Sequence, residues 1–271
     1  MAASSPKRNV PQPGLEIDLL STSSEQFSGV EYSAYYVHLK VVVPHIGDVS
    51  ALWLRPANAR WALVLAHGAG AGMNHPFLGK LAHELAGAEV ATFRYQFPYM
   101  EQRRRVPDPP AVLQSVVRAA VRMAGETAPD LPMLAGGKSM GGRMTSQAAA
   151  EHGSELAPEL EKVQGLVFFG FPLHPPGRPG TKRAEHLAQV RTPMLFLQGT
   201  RDQFADLKLL RPICANLGAR ATLHEIGTAD HSFHVLKSSG KTDAEIMHEL
   251  AQSVRAWAQT LSRSASPHAR E

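Results

Sequence analysis

The sequence predicts an α/β fold, an open, mostly parallel sheet of about seven to eight strands with helices on both faces. Two observations carry this. From Trp61 onward, short continuously apolar runs alternate with longer amphipathic stretches. The runs also lack the in–out alternation of a half-exposed strand, which suits parallel strands covered on both faces. Alternating strand and helix signals of this kind build a parallel sheet through crossover connections.

The apolar runs are Ala62–Ala66, Glu89–Arg94, Met133–Gly136, Leu166–Phe169, Met194–Leu197 and Thr222–Ile226. Ahead of them, Tyr35–Val43 and Val49–Arg55 read as an antiparallel pair joined through Pro44–Asp48. Phe77, Leu81 and Leu85 repeat at helical spacing, with Pro76 at the start and Gly87 at the end. Val112, Val116, Ala119 and Met123 line a second helix, with Asp108 as its expected cap. A third helix is expected over Asp206–Leu217. In the last, Ile246, Leu250, Val254, Trp257 and Leu261 form one stripe behind Thr242-Asp243-Ala244-Glu245, a capping box. Residues 1–14 and 263–271 are expected to be disordered tails around a single domain over 15–262, within which Leu15–Ser33 is ambiguous and reads as an irregular arm.

Composition is that of an ordinary globular chain: 271 residues, 44% hydrophobic and 19% charged. A net charge of +4 is mild, and its one cluster, Arg103-Arg104-Arg105, reads as a solvated loop, with anion capture as the sharper alternative. Scattered basic residues do not support nucleic-acid binding. Cys214 is the only cysteine, so no intrachain disulfide forms, which fits a reducing compartment. No apolar segment follows Lys7-Arg8, and none approaches the ~18 residues of a membrane span. The expectation is a cytoplasmic protein without membrane association.

The chemistry gathers where strands end. Met133–Gly136 runs into Gly137-Lys138-Ser139-Met140-Gly141, a G-x-S-x-G sequence between a strand and a helix. That context makes it a nucleophile elbow, which lifts the serine hydroxyl above the sheet. An acid, Asp202, follows Met194–Leu197, and a histidine, His231, follows Thr222–Ile226. A serine hydroxyl needs a neutral imidazole to take its proton, and a carboxylate to orient that imidazole. Asp202 could instead cap the following helix, a common use of Asp, and Asp206, nearer that helix start, competes for either role; Asp202 is preferred as the acid because it comes first after its strand. His234 is the rival of His231, and Asp230 adjoins the histidine too closely to orient it. After Ala62–Ala66 comes His67-Gly68-Ala69-Gly70-Ala71-Gly72, a loop whose backbone can approach the site. It is expected to supply one oxyanion N–H, from Ala69 or else Gly70, with Met140 giving the other. The loop lacks the spacing of a phosphate-binding motif. The histidines His38, His45, His67, His75 and His83 match no closed ligand set, so neither metal nor cofactor is expected.

Three segments, His67–Pro76, Phe93–Glu101 and Gly137–Arg143, resemble the α/β-hydrolase superfamily. More narrowly they resemble hydrolase-like proteins of the testis-expressed protein 30 type, a group related to dienelactone hydrolases. The resemblance spans roughly Tyr35–Leu261 and implies an α/β-hydrolase fold with a Ser-Asp-His order of triad residues. Dienelactone hydrolases use a cysteine nucleophile where this chain has Ser139, so their substrate is not carried over. The group also includes a subunit of a histone-acetylation complex, which keeps a binding role in view.

Gly170–Thr181 is too short for the large cap domain many such proteins insert, so an open site is expected. Its walls would be that loop and Tyr95–Met100, with Tyr95, Phe97, Tyr99 and Met100 either lining an acyl or aryl pocket or packing in the core. Lys138 reads as a salt-bridged residue, with contact to an anionic substrate as the alternative. The resulting expectation is a serine hydrolase of a small-molecule ester or thioester. A silent interaction module and an acyltransferase on the same fold are the rival readings.

Overall fold

In the computed structural model, residues 20–27, 30–151 and 158–264 are described. Nine strands form one sheet: β1 (Leu20–Phe27), β2 (Val30–Val43), β3 (Gly47–Pro56), β4 (Trp61–Ala66), β5 (Val90–Tyr95), β6 (Met133–Lys138), β7 (Val163–Phe169), β8 (Met194–Gly199) and β9 (Ala221–Ile226). Their order is β1-β2-β3-β5-β4-β6-β7-β8-β9. From β5 through β4 to β9 every pairing is parallel, while β1, β2 and β3 join antiparallel. The expected hairpin is present, turning through His45 and Gly47, both at positive φ. The segment read as an irregular arm contributes β1, which pairs with β2 at the sheet edge. Polar Ser-Thr-Ser-Ser-Glu within it hides the strand from any hydrophobic-pattern reading.

Six α-helices lie among the described residues: α1 (Pro76–Gly87), α2 (Pro98–Glu101), α3 (Pro110–Thr127), α4 (Met140–Ala150), α5 (Leu207–Leu217) and α6 (Asp243–Ser264). The expected tails lie outside the described residues, except that 263–264 continue α6. The central strands are buried on both faces, and their alternate residues serve two cores. Ala62 and Val64 pack with α3, α4 and α5, whereas Leu63 and Leu65 pack with α1 and α6. This two-sided burial explains why the runs carry no polar alternation.

Helix starts follow local chemistry. The Thr242 and Glu245 side chains satisfy one another's backbone N–H groups, at 2.7 and 3.2 Å, ahead of α6. Asp206 caps α5 by accepting from Lys208 N–H. Asp108 does not cap α3, whose N-cap is Pro109; its carboxylate instead accepts Tyr99 N–H and pairs with Arg104. That pairing ties down the Arg103–Arg105 loop, which is solvent-exposed as its composition suggested.

Candidate active site

Ser139 sits between β6 and α4 with φ 52° and ψ −118°, a strained conformation for a residue with a side chain. The flanking glycines are required by close approach. A Cβ on Gly141 would stand 2.6 Å from the His67 carbonyl oxygen, and one on Gly137 would collide with the backbone of Ala66. The elbow therefore presses against the end of β4, where the His67–Gly72 loop begins.

The parallel sheet brings the three strand-end residues together. His231 Nε2 lies 2.9 Å from Ser139 Oγ, and His231 Nδ1 lies 2.7 Å from Asp202 Oδ2. Asp202 is fully buried at its side chain and acts as acceptor only, so Nδ1 carries the proton and Nε2 is free to accept from the serine. Two further donors hold the carboxylate, Gln198 Nε2 at 2.5 Å on Oδ2 and Phe204 N–H at 2.7 Å on Oδ1. The Phe204 ring tilts over the imidazole at 4.3 Å between centroids. Gly170 completes the packing, since a Cβ there would lie 3.4 Å from both Asp202 Oδ2 and His231 Nδ1. Gln198 and Phe204 were not assigned roles from sequence, and Gly170 only as the first residue of the expected wall loop. The only signals for them are that Gly170 and Gln198 lie at the ends of β7 and β8 and that Phe204 follows Asp202 by two residues.

The rival residues have other partners. Asp230 Oδ1 accepts the N–H groups of Ser232 and His234, shaping the histidine loop. His234 is exposed and pairs with Asp243 on the surface, which raises its pKa through that hydrogen bond and charge. A second serine–histidine contact, Ser146 Oγ to His186 Nε2 at 2.8 Å, joins α4 to the Lys182–Ala188 turn. Ser146 is buried, and no carboxylate is paired with His186 among the described residues, so this contact lacks what a nucleophile needs.

The glycine loop is built around His67. Its Nε2 accepts Phe97 N–H at 3.0 Å and its Nδ1 lies 2.7 Å from the Gly68 carbonyl, so both ring nitrogens are used. Burial drives its pKa down to about 4, keeping it neutral and structural. Gly70 N–H donates to Tyr99 Oη at 3.0 Å, which removes Gly70 as an oxyanion donor. Ala69 is exposed, and its N–H carries no hydrogen bond among the described residues; Met140 N–H, at the first position of α4, has no intrahelical acceptor.

Three of the four expected pocket-lining residues are corrected. Tyr95, Phe97 and Tyr99 have no exposure and belong to the core beneath the loop. Phe97 meets the Tyr95 and His67 rings edge-on at 5.4 and 4.8 Å. They support the site from below, because an aromatic run following a buried strand continues into the interior. Met100 alone is partly exposed, with its methyl 3.5 Å from where a Gly72 Cβ would be. Lys138 makes no salt bridge among the described residues. Its amine nitrogen is buried without a hydrogen-bond partner and lies 5.8 and 5.5 Å from the ring centroids of Phe77 and Phe233.

Among the described residues no group of three His, Cys, Asp or Glu is placed to hold a metal ion, and no helix is long and apolar enough to cross a membrane.

An open, mostly parallel sheet whose strand ends bring serine, histidine and aspartate into one hydrogen-bonded line, with no separate cap domain among the described residues, defines an α/β-hydrolase fold. The family model described as an alpha/beta hydrolase domain matches residues 59–259, and the chain belongs to that family. Solved structures share the fold at low identity. A dienelactone hydrolase from Anabaena variabilis is 20% identical with a TM-score of 0.64, over 84% of this chain and 98% of that one. A serine hydrolase without a lid from Xanthomonas campestris is 19% identical with a TM-score of 0.63, over 82% and 94%. Est1E from Butyrivibrio proteoclasticus, solved with ferulic acid bound, is 13% identical with a TM-score of 0.60, over 84% and 100%.

Proposed function

We propose that this protein is a serine hydrolase that cleaves a small-molecule carboxylic ester or thioester through an acyl-enzyme. The observation that carries the reading is the Ser139–His231–Asp202 line at 2.9 and 2.7 Å, on a serine held in nucleophile-elbow geometry. His231 takes the Ser139 proton as Oγ attacks the carbonyl carbon, and Asp202 stabilises the imidazolium that results. The developing oxyanion is received by the N–H groups of Met140 and Ala69, each worth roughly 10²–10³ in rate. His231 then delivers its proton to the departing alkoxide or thiolate, and water repeats the sequence to release the acid. Esterase and serine-hydrolase structures among those sharing the fold support this class.

Within the family, the motifs quoted above support membership of the testis-expressed protein 30-type group. Residues 15–262 are read as one domain. A cytoplasmic location is supported by the single cysteine, Cys214, which has no second thiol to form an intrachain disulfide and so fits a reducing compartment.

The test is hydrolysis of p-nitrophenyl acetate and butyrate, in parallel with fluorophosphonate labelling, by the native protein and Ser139→Ala. Activity and labelling that both vanish in the variant support the reading. A well-folded native protein that takes no label overturns it and favours a binding role.

A further inference from the structure

Lys138 has no part in the reaction just described, yet it stands against the groups that perform it. A buried ammonium without a hydrogen-bond acceptor is costly, so what surrounds it in place of one is informative. Phe77 of α1 and Phe233 of the histidine loop stack at 5.8 Å and 18°, and the amine lies within cation–π range of both rings. On another side is Gly170. A Cβ built there would be 3.1 Å from Lys138 Nζ and 3.4 Å from both Asp202 Oδ2 and His231 Nδ1. The ammonium and the His231–Asp202 hydrogen bond therefore flank one bare glycine.

The charged groups bearing on the amine are Asp202 and Asp230, both attractive, with His231 beside them. Lys80, Glu84 and Asp243 line a separate cavity of about 540 Å³ whose walls include Phe77 and Phe233 but not Lys138. Phe233 is itself under strain, at φ 64°, a left-handed conformation that an aromatic residue adopts only when held. It lies two residues beyond His231.

We propose, on the serine-hydrolase reading above, that Lys138 is a positioning residue: its ammonium clamps Phe233 against Phe77 and faces Asp202, holding the His231 loop in register with Ser139. The clamp works only while the amine is charged, because a neutral amine offers the rings no cation and the carboxylates no counter-charge. Burial lowers this amine to about 8, against the opposing pull of Asp202 and Asp230. Deprotonation releases the clamp. The unfolded lysine titrates near 10.5, so the unfolded chain binds more protons across that interval and rising pH favours the fold there. Activity lost in this range is therefore not lost to unfolding driven by Lys138.

The experiment measures kcat and KM for p-nitrophenyl acetate, and the rate of fluorophosphonate labelling, from about pH 6 to about pH 10. The native protein is compared with Lys138→Met, Lys138→Arg and Phe77→Leu, with Ser139→Ala as the blank. Native kcat is expected to fall above about pH 8. Lys138→Met should show about tenfold lower kcat, KM within about twofold, and no such fall. Lys138→Arg should recover activity and stay level to about pH 10, because a guanidinium remains charged. A native profile flat to about pH 9.5, or a Lys138→Met profile that keeps the fall, overturns the proposal. If Lys138→Arg does not fold, Phe77→Leu decides: a few-fold lower kcat at unchanged KM is expected, and an unchanged kcat overturns the clamp. Labelling of Ser139→Ala at the native rate would instead overturn the hydrolase reading, whatever Lys138 does.

Discussion

Gln198 Nε2 donates to Asp202 Oδ2 at 2.5 Å, while its own Oε1 takes the N–H of Phe171 at 2.9 Å. One fully buried amide at the end of β8 thus joins the acid of the site to the chain leaving β7. Gln198→Leu removes both bonds at nearly constant volume. A hydrogen bond to a charged group contributes about 1.5–3 kcal/mol, so a loss of kcat of about tenfold is expected, together with a lower urea midpoint. Unchanged kcat would show that His231 and Phe204 N–H suffice to hold the carboxylate.

Asp202→Asn should leave the fold intact and reduce kcat by about 10⁴, because an amide turned toward His231 Nδ1 favours the wrong tautomer. Circular dichroism checks the fold and ester hydrolysis the rate. Asp206→Asn, by contrast, retains an N-cap acceptor for Lys208 N–H and should leave kcat within about twofold.

Tyr99→Phe separates a buried support from a substrate wall. The variant loses only the hydroxyl that receives Gly70 N–H, releasing that N–H within the His67–Gly72 loop. The expectation is a several-fold lower kcat, on the order of 1 kcal/mol, with KM for acetate and butyrate esters unchanged. A KM that shifts with acyl length would return Tyr99 to the substrate pocket.

Gly141→Ala should destabilise the protein on the order of 1–3 kcal/mol or prevent folding, since the new methyl meets the carbonyl oxygens of His67 and Ala66 at 2.6 and 2.7 Å. Its melting temperature reports this. A native-like value would mean that the elbow can move away from β4.

Acid sensitivity follows from His67. Its folded pKa is lowered to about 4 from 6.5 by burial, so the unfolded chain binds more protons between those values. Its contribution to stability is complete above pH 6.5 and is lost as pH falls toward 4, a total of roughly 3 kcal/mol. Urea midpoints measured across this interval should fall with pH, and the slope should lessen in His67→Gln. An equal slope in both proteins would assign the acid sensitivity elsewhere.

The legible part of this protein is what local rules write. Uninterrupted apolar runs declared strands covered on both faces, and the packing of Ala62 and Val64 on one side and Leu63 and Leu65 on the other shows why. Glycines at 137 and 141 marked a turn too tight for side chains, and Thr242 and Glu245 announced a helix start. That Ser139, Asp202 and His231 come together was legible because strand ends of a parallel sheet share one edge, so position along the chain already implied convergence.

The polar strand β1 escaped this reading because sheet-edge pairing is made by backbone groups, which carry no hydrophobic pattern. The fates of Tyr95, Phe97, Tyr99 and Lys138 escaped it for a different reason. Whether an aromatic residue after a strand faces a pocket or the interior depends on how the chain turns next, and here His67 draws Phe97 N–H inward. Whether a lysine beside a nucleophile meets a carboxylate or two rings depends on α1 and the histidine loop, which are distant in sequence. Residue types and spacing determined the chemistry available, since they act over a few residues. Which groups that chemistry touches was decided by tertiary packing, because burial and contact are properties of the assembled sheet and its helices.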